Sequence, residues 1–575
     1  MRRQLAVLAL LLSAGCGLPL PHGVEEPGPV NAQQPVDGGD IQVLPPGPRD
    51  DASADDIVRL FFGAQSDPAD RHASAREFLA PELRQRWHDD GPVSVVGSGL
   101  QVEPADPAAD AFRVSGDLVG SIGADGSYSP GRGRIDVLVR VRKGARGRWV
   151  ISGVPDGLLL STADRDRSFR PRNVYFLAPP LGTSAGVHLV PDQVFLPLTS
   201  DSADALVRRL VEGPSHQLGD SAQTAFPPGT TVRSVTTSAS GLVTVDLSDQ
   251  VTRVGAEQLR RMSAQLVWTL RGNPGGFSQL RLRSGGHDLA VERGGSRVVL
   301  QDRTDWASYD PDGLPADVPL YFVGGARLRV LDPSGASTDA ASGSLQVDAG
   351  AASPRGGALA LLSHYAGGDE LRTGPATGPF RLRATGRSLS SPTWGSGERG
   401  VFFLAGGRLM LAPPRGPVVA VPVDGLTAYG RLWALRVSRD GVRAALVVGS
   451  GTTRRLLVGR LLDHGGLRVV GLRDVAPGLT DVRDLSWDSG TSLVVLGRLS
   501  GVLAPVRVVV DGSSVALVSK LGLERTTPLT VAAAPGEPVL VGVVAGRSSE
   551  VLFRDSGRLY VPVDGVSGGS PFYPG

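Results

Sequence analysis

SRDGVRAALVVG, residues 438–449, is a turn tetrapeptide followed by a nearly apolar β-run, and the same unit returns along the C-terminal half of the chain. SPRG (353–356) precedes GALALLS, WGSG (394–397) precedes GVFFLAG, WDSG (487–490) precedes TSLVVLG, and AAPG (533–536) precedes PVLVGVV. The turn glycines are spaced by 41, 44, 49 and 46 residues. A period in the forties with room for about four short strands per unit is the signature of a β-propeller. The glycine is expected to supply the positive φ of the tight turn, with small and acidic neighbours satisfying local backbone N–H groups. Counting the segments before Gly356 and after Gly536 predicts about six blades over 319–575, with a closing strand shared between the two ends. Trp394, Trp487 and Phe402 read as blade-packing core.

Working back from the repeat, residues 170–299 form a separate α+β region. A strand at 173–180 and the run VHLVPDQVFLPL precede a helix at 202–210, which Gly213 and Pro214 stop. Two β-runs joined at 238–241 follow, then a helix at 255–270 with one apolar face, broken by Asn273-Pro274-Gly275-Gly276, and a last strand, in a βαββαβ-like plan. Asp246 reads as a turn or cap acceptor. Residues 53–165 form another small α+β region, cone-like in outline. Ser53 N-caps a helix with acids in its first turn, and Pro81 reopens a second helical pattern within 73–87. Alternating strands close the region at Gly147-Arg148-Trp149. No carboxylate–histidine pair falls in phase on one of its strand faces, so it reads as a packing module. The fold class is therefore multidomain, two small α+β domains followed by an all-β propeller.

The N-terminus MRRQLAVLALLLSAGC has a basic start, an apolar run too short to span a bilayer and small residues before Cys16. It predicts a signal peptide at 1–15, cleavage after Gly15, and lipid attachment at Cys16. Ser13 stands where a lipobox usually has Leu. Residues 16–52 begin at that cysteine and continue into a Pro/Gly-rich tether. Its 36 residues after Cys16 would reach roughly 30–35 Å as a flexible coil. The expected location is the extracytoplasmic face of the cell membrane, held by lipid.

The formal net charge of +2 includes Arg2 and Arg3 of the signal segment. A near-neutral mature chain argues against nucleic acid as a partner. One cysteine excludes a disulfide framework and a Cys-based zinc cluster, and the eight histidines are scattered without ligand spacing. Ser450 in Gly449-Ser450-Gly451 reads as a hairpin loop rather than a nucleophile elbow, and Asp440 and Asp488 as turn residues. No catalytic, cofactor-binding or metal site is assigned, and the chain is read as non-enzymatic.

The order VYFL, ALVRRLVEGP, FPPGTTVRSV, GLVTVDLS, QLVWTL, GGFSQLRLRSGG resembles the GerMN domain of envelope proteins, which implies a binding or scaffolding module. The lipobox, the tether, DDIVRLFFGA with AREFLAPELRQRW, the GerMN-like region, ADVPLYFVGGARLRVLD, LWALRVSRDGVRAALV and the ending GSPFYPG together resemble the LpqB family of actinomycete lipoproteins. That resemblance implies an accessory, regulatory adaptor. Its partner would be the extracytoplasmic domain of the sensor histidine kinase in the MtrA–MtrB two-component system, linked to cell-wall homeostasis and cell division. The alternative is an envelope receptor that binds cell-wall fragments through the GerMN domain or the propeller.

Overall fold

A computed structural model describes residues 47–575 except 98, 107–109, 180–187, 201, 333–335, 341–342, 397–398, 520–522, 524–525, 546–548 and 558. Cys16 and the tether up to residue 46 lie outside the described residues.

The first domain packs helix Ala54–Ala64 on a mainly antiparallel sheet. Ser53 caps that helix by the full capping box, its side chain accepting from Asp56 N while Asp56 accepts from Ser53 N. Ile57, Val58, Phe61 and Phe62 point inward because they share one helical face, and Phe61 meets Trp87 edge-on. Pro81 occupies the first turn of the short helix Pro81–Arg84. The strand Leu158–Ser161, which alternation did not reveal, runs parallel to Val93–Val96.

The second domain departs from the βαββαβ plan. Phe169–Leu177 and Leu189–Pro197 form their own two-stranded antiparallel sheet, apart from the main sheet. The main sheet pairs Val232–Thr237 with Leu242–Leu247 and then Gln279–Ser284, and it also takes in Leu300–Asp302. Helices Ala203–Glu212 and Ala256–Leu270 cover it. The second helix is buried along most of its length, which fixes the two sheets on either side of one core. Gly213 ends the first helix with φ 101°.

The C-terminal region is six four-stranded antiparallel sheets arranged as propeller blades. Five blades are built from consecutive strands. Blade 1 takes Leu320–Gly324, Arg327–Leu331 and Ser337–Asp339 from its beginning and Gly569–Phe572 from the far end of the region. The inner strands are Gly569–Phe572 in blade 1, then Ala349–Ala352, Leu389–Trp394, Arg431–Val437, Leu479–Ser489 and Thr527–Ala532 in blades 2 to 6. Each packs on the next and the last packs on the first, so the ring is closed. Six apolar clusters lie between neighbouring blades, one for each junction. Burial is therefore shared between sheets, and no blade has a complete core alone.

Candidate interaction surface

Antiparallel pairing gives the propeller two unlike faces. The turns between first and second strands, and between third and fourth, emerge on one face; the remaining connections emerge on the other. The repeated tetrapeptides are all first-to-second turns, so they share a face. That face is occupied.

At blades 4 and 5 it receives the second domain. Arg443 Nη2 donates to Pro191 O, while Arg443 Nη1 donates to Asp440 Oδ2 at 3.0 Å and Gly490 O at 3.3 Å. Gln193 Nε2 donates to Asp511 Oδ2 at 3.1 Å, and Arg460 Nη1 to Leu218 O at 3.1 Å. Burial raises the Asp192 and Asp511 carboxyls above the usual range and lowers Arg473 to about 10. The first domain adds Arg165, which donates to Ser513 O at 3.2 Å, while its Arg132 pairs with Asp474 at the far end of the outer strand of blade 4, beside Arg455. The first two domains are joined by His216, whose Nδ1 lies 2.9 Å from Asp125 and 3.0 Å from Ser127 Oγ. Burial alone would raise Asp125, but hydrogen bonds from Ser127 and His216 hold it well below the usual carboxylate range. Serine and carboxylate meet the same ring nitrogen, so the trio is a clamp and lacks the relay geometry of a hydrolase.

The centre of the occupied face is crossed by Arg439, itself buried. Its Nε donates to Pro574 O at 3.1 Å, and Nη2 donates to Trp487 O at 3.2 Å and Ala533 O at 3.4 Å. Asp312, from the segment leading into the propeller, sits 4.0 Å from Arg439 Nη1. Burial outweighs the pull of that guanidinium and pushes the Asp312 carboxyl up to about 6.

The residues singled out from sequence take structural places. Asp440 accepts from Val442 N at 2.9 Å, as a turn aspartate should, whereas Asp488 instead pairs with Arg507 at 2.9 Å. Asp246, within the strand Leu242–Leu247, accepts at 3.0 Å from Gly286 N, in the turn that follows the neighbouring strand Gln279–Ser284. Ser450 opens a turn closed by Thr453 N. Phe402 and Trp487 are buried and Trp394 is half-buried. The two indoles donate to the inner strand of the preceding blade, Trp394 to Ala351 O and Trp487 to Arg436 O. Among the turn glycines, Gly356, Gly441 and Gly536 have φ of 71°, 74° and 77°. Gly490 does not have positive φ, which corrects the uniform expectation. Its requirement is space: a Cβ there would lie 2.7 Å from Pro191 Cγ.

On the opposite face, the hydrogen bonds and ion pairs among the described residues bring the first two domains only to Asp474, on the outer strand of blade 4, and leave the inner-strand ends of blades 4 to 6 untouched. Nothing in the sequence marks what those ends carry. Inner strands slip register at the end nearest this face. In blade 4 the slip falls between Leu432 and Ala434, in blade 5 between Thr480 and Asp484, and in blade 6 between Pro528 and Thr530. A bulge re-aims the residue it leaves unpaired. Trp433 and Leu529 are the skipped residues, and they are 38% and 41% exposed in a ring whose other inner-strand apolar residues are largely buried. Asp481 and Arg483 occupy the blade 5 bulge, with Asp481 at φ 45°. Arg431 and Arg454 lie 5.0 and 5.3 Å from the Trp433 ring centroid, and its Nε1 donates to Gly449 O at 2.8 Å. The carboxylate of Asp481 is approached by Arg454 at 3.5 Å, Arg483 at 3.2 Å and Arg498 at 3.8 Å. The result is an arc of aromatic, cationic and aliphatic groups across blades 4 to 6.

Comparisons with known proteins agree with the order of parts. Family models described as "Lipoprotein LpqB, N-terminal domain", "Sporulation and spore germination" and "Lipoprotein LpqB beta-propeller domain" match residues 47–166, 173–290 and 327–574. A protein named Lipoprotein LpqB from Thermobifida fusca (strain YX) is 28% identical over 637 aligned positions, covering 99% of this chain and 98% of its own length. Its namesake from Streptomyces coelicolor is 28% identical, covering 99% of this chain and 97% of its own. Among solved structures, the first GerMN domain of the sporulation protein GerM from Bacillus subtilis is 24% identical, covers 24% of this chain and 99% of that one, and has a TM-score of 0.20.

Proposed function

Because the chain belongs to the LpqB family of lipoproteins, we propose that it is an extracytoplasmic adaptor that docks on a membrane sensor through its free propeller face. The lipid anchor is Cys16, the tether lifts the folded part from the bilayer, and the location is the outer face of the cell membrane. The partner is the extracytoplasmic domain of the sensor histidine kinase of the MtrA–MtrB system, and the output bears on cell-wall homeostasis and cell division. The name of the relatives supports the anchor; among the described residues no helix is long and apolar enough to cross a membrane. Anchoring confines the chain near a membrane-bound partner and raises its effective concentration there.

The observation that carries the reading is the asymmetry of the propeller. One face receives the preceding domains at blades 4 and 5 and is crossed by Arg439, while the other turns a tryptophan and a leucine outward at bulges. The role is one of binding, and Asp125, Ser127 and His216 do not assemble a hydrolytic relay. The test is binding of the soluble chain, residues 17–575, to the isolated sensor domain. Saturable binding at micromolar affinity or better is expected, and absence of binding by the folded chain would refute the direct-contact form.

A second reading, a receptor for cell-wall fragments, is supported by an open cleft of about 630 Å³ in the second domain, bordered by Arg233, Asp249, Arg253 and Gln258. It requires wall fragments to raise the melting temperature of the chain with no protein partner present.

A further inference from the structure

We propose that the arc at blades 4 to 6 is a docking site for an acidic protein segment carrying an apolar side chain, with Arg483 and Arg498 taking its carboxylates and Trp433 and Leu529 its apolar group. The inference deepens the adaptor reading and rests on it only in placing the occupant outside the chain.

Charge is the first argument. Arg454, Arg483 and Arg498 share one carboxylate, and Asp481 is itself only 8% exposed. One acid cannot occupy the outward N–H groups of three guanidiniums, each of which carries five donors. Arg431 adds a fourth cation against Trp433, with no carboxylate within 4.0 Å among the described residues. The arc therefore has an excess of positive charge within a chain whose overall charge is nearly balanced.

Geometry narrows the class of anion. Arg483 Nη1 donates to Pro528 O at 3.2 Å and Arg498 Nη1 to Gly501 O at 2.7 Å, so both guanidiniums are held in position. A held guanidinium presents a planar fork that matches a carboxylate in two-point contact. A lipid surface gains instead from mobile, unshared cations and has no use for a carboxylate in their midst. The tryptophan N–H is already used on Gly449 O, so the exposed edge of the ring offers apolar contact. Leu529 stands on the next blade but one, beyond the Arg483–Pro528 contact, and completes an apolar pair spaced by cations. Aromatic and arginine anchors of this kind dominate protein–protein contacts.

The experiment uses the soluble chain and a fluorescein-labelled peptide of repeating Glu-Glu-Leu, read by anisotropy at low and physiological salt. Saturable binding is expected, weakening with salt. Replacing Arg483 and Arg498 together by Ala should weaken it by about tenfold or more, and Trp433→Ala by a similar factor. Arg113→Ala with Arg297→Ala removes the same charge elsewhere and should leave binding unchanged. Equal losses in both double variants, or no binding of peptide while phosphatidylglycerol vesicles are bound, would overturn the proposal. Peptide binding without sensor-domain binding would retain the arc and remove the kinase. Sensor-domain binding untouched by Arg483→Ala with Arg498→Ala would retain the adaptor and remove the arc.

Discussion

Gly490, in the first turn of blade 5, lies so close to Pro191 of the second domain that an added Cβ would sit 2.7 Å from Pro191 Cγ. The backbone at Gly490 would accept any residue, so its cost on substitution comes only from the domain contact. Gly490→Ala is expected to destabilise docking by about 1–3 kcal/mol, as overpacking does. Limited proteolysis between the two domains should speed up, while the propeller alone keeps its β-sheet circular dichroism. Unchanged proteolysis would mean that the approach relaxes freely.

Arg443 is the polar counterpart of that contact. It joins Pro191 O, Gly490 O and Asp440, and the side chains of Arg443 and Asp440 are 8% and 0% exposed. Removing one member of a buried pair leaves an uncompensated charge, at about 3–5 kcal/mol. Arg443→Met should therefore lower stability strongly, and Asp440→Asn added to it should recover part of the loss. Chemical denaturation of the single and double variants gives the coupling directly; additive effects would show that the two side chains do not act as a pair.

Asp312 carries the pH prediction. Its folded carboxyl is raised by burial to about 6 from an ordinary 3.8. The native state then holds this proton more tightly than the unfolded state, so the contribution of Asp312 to stability is fully present below about pH 4 and is lost as pH rises through about 6. Asp312→Asn imitates the protonated form. It should stabilise the chain at pH 7.5 relative to its effect at pH 4.5, by about 1–3 kcal/mol. Calorimetry at the two pH values tests this, and an equal effect at both would show that Asp312 is not perturbed.

Much of the architecture is legible in sequence because the repeated turn is local. The period fixes the propeller, and Ser53, Pro81 and Gly213 mark helix ends by chemistry confined to a few residues. The free-face arc left no such mark. A one-residue bulge does not change composition, and Trp433 reads as an ordinary member of an apolar inner strand until pairing shows that it is skipped. The occupied face was equally silent, since Arg443 and Pro191 are 252 residues apart. Gly490 sits in a turn whose sequence resembles those of Gly441 and Gly536, and only the neighbouring domain shows that its requirement is space and not positive φ. The separate sheet of Phe169–Leu177 was hidden because alternation reports a strand without naming its partner.

The ring is closed by residues far from the blade they complete. Phe572 stacks on Tyr321 at 5.3 Å with ring planes 15° apart, and Gly575 N donates to Ala352 O at 3.0 Å. Arg439 Nε holds Pro574 O from across the ring. Ending the chain at Gly568 would remove the inner strand of blade 1, expose the edge of Leu320–Gly324, and leave Arg439 without one of its carbonyls. An unpaired apolar edge is a template for association between copies. The truncated chain should melt at lower temperature and self-associate in sedimentation, and added peptide of residues 569–575 should partly reverse both. A truncated chain that stays monomeric with an unchanged melting temperature would show that the first three strands of blade 1 close the ring without their fourth.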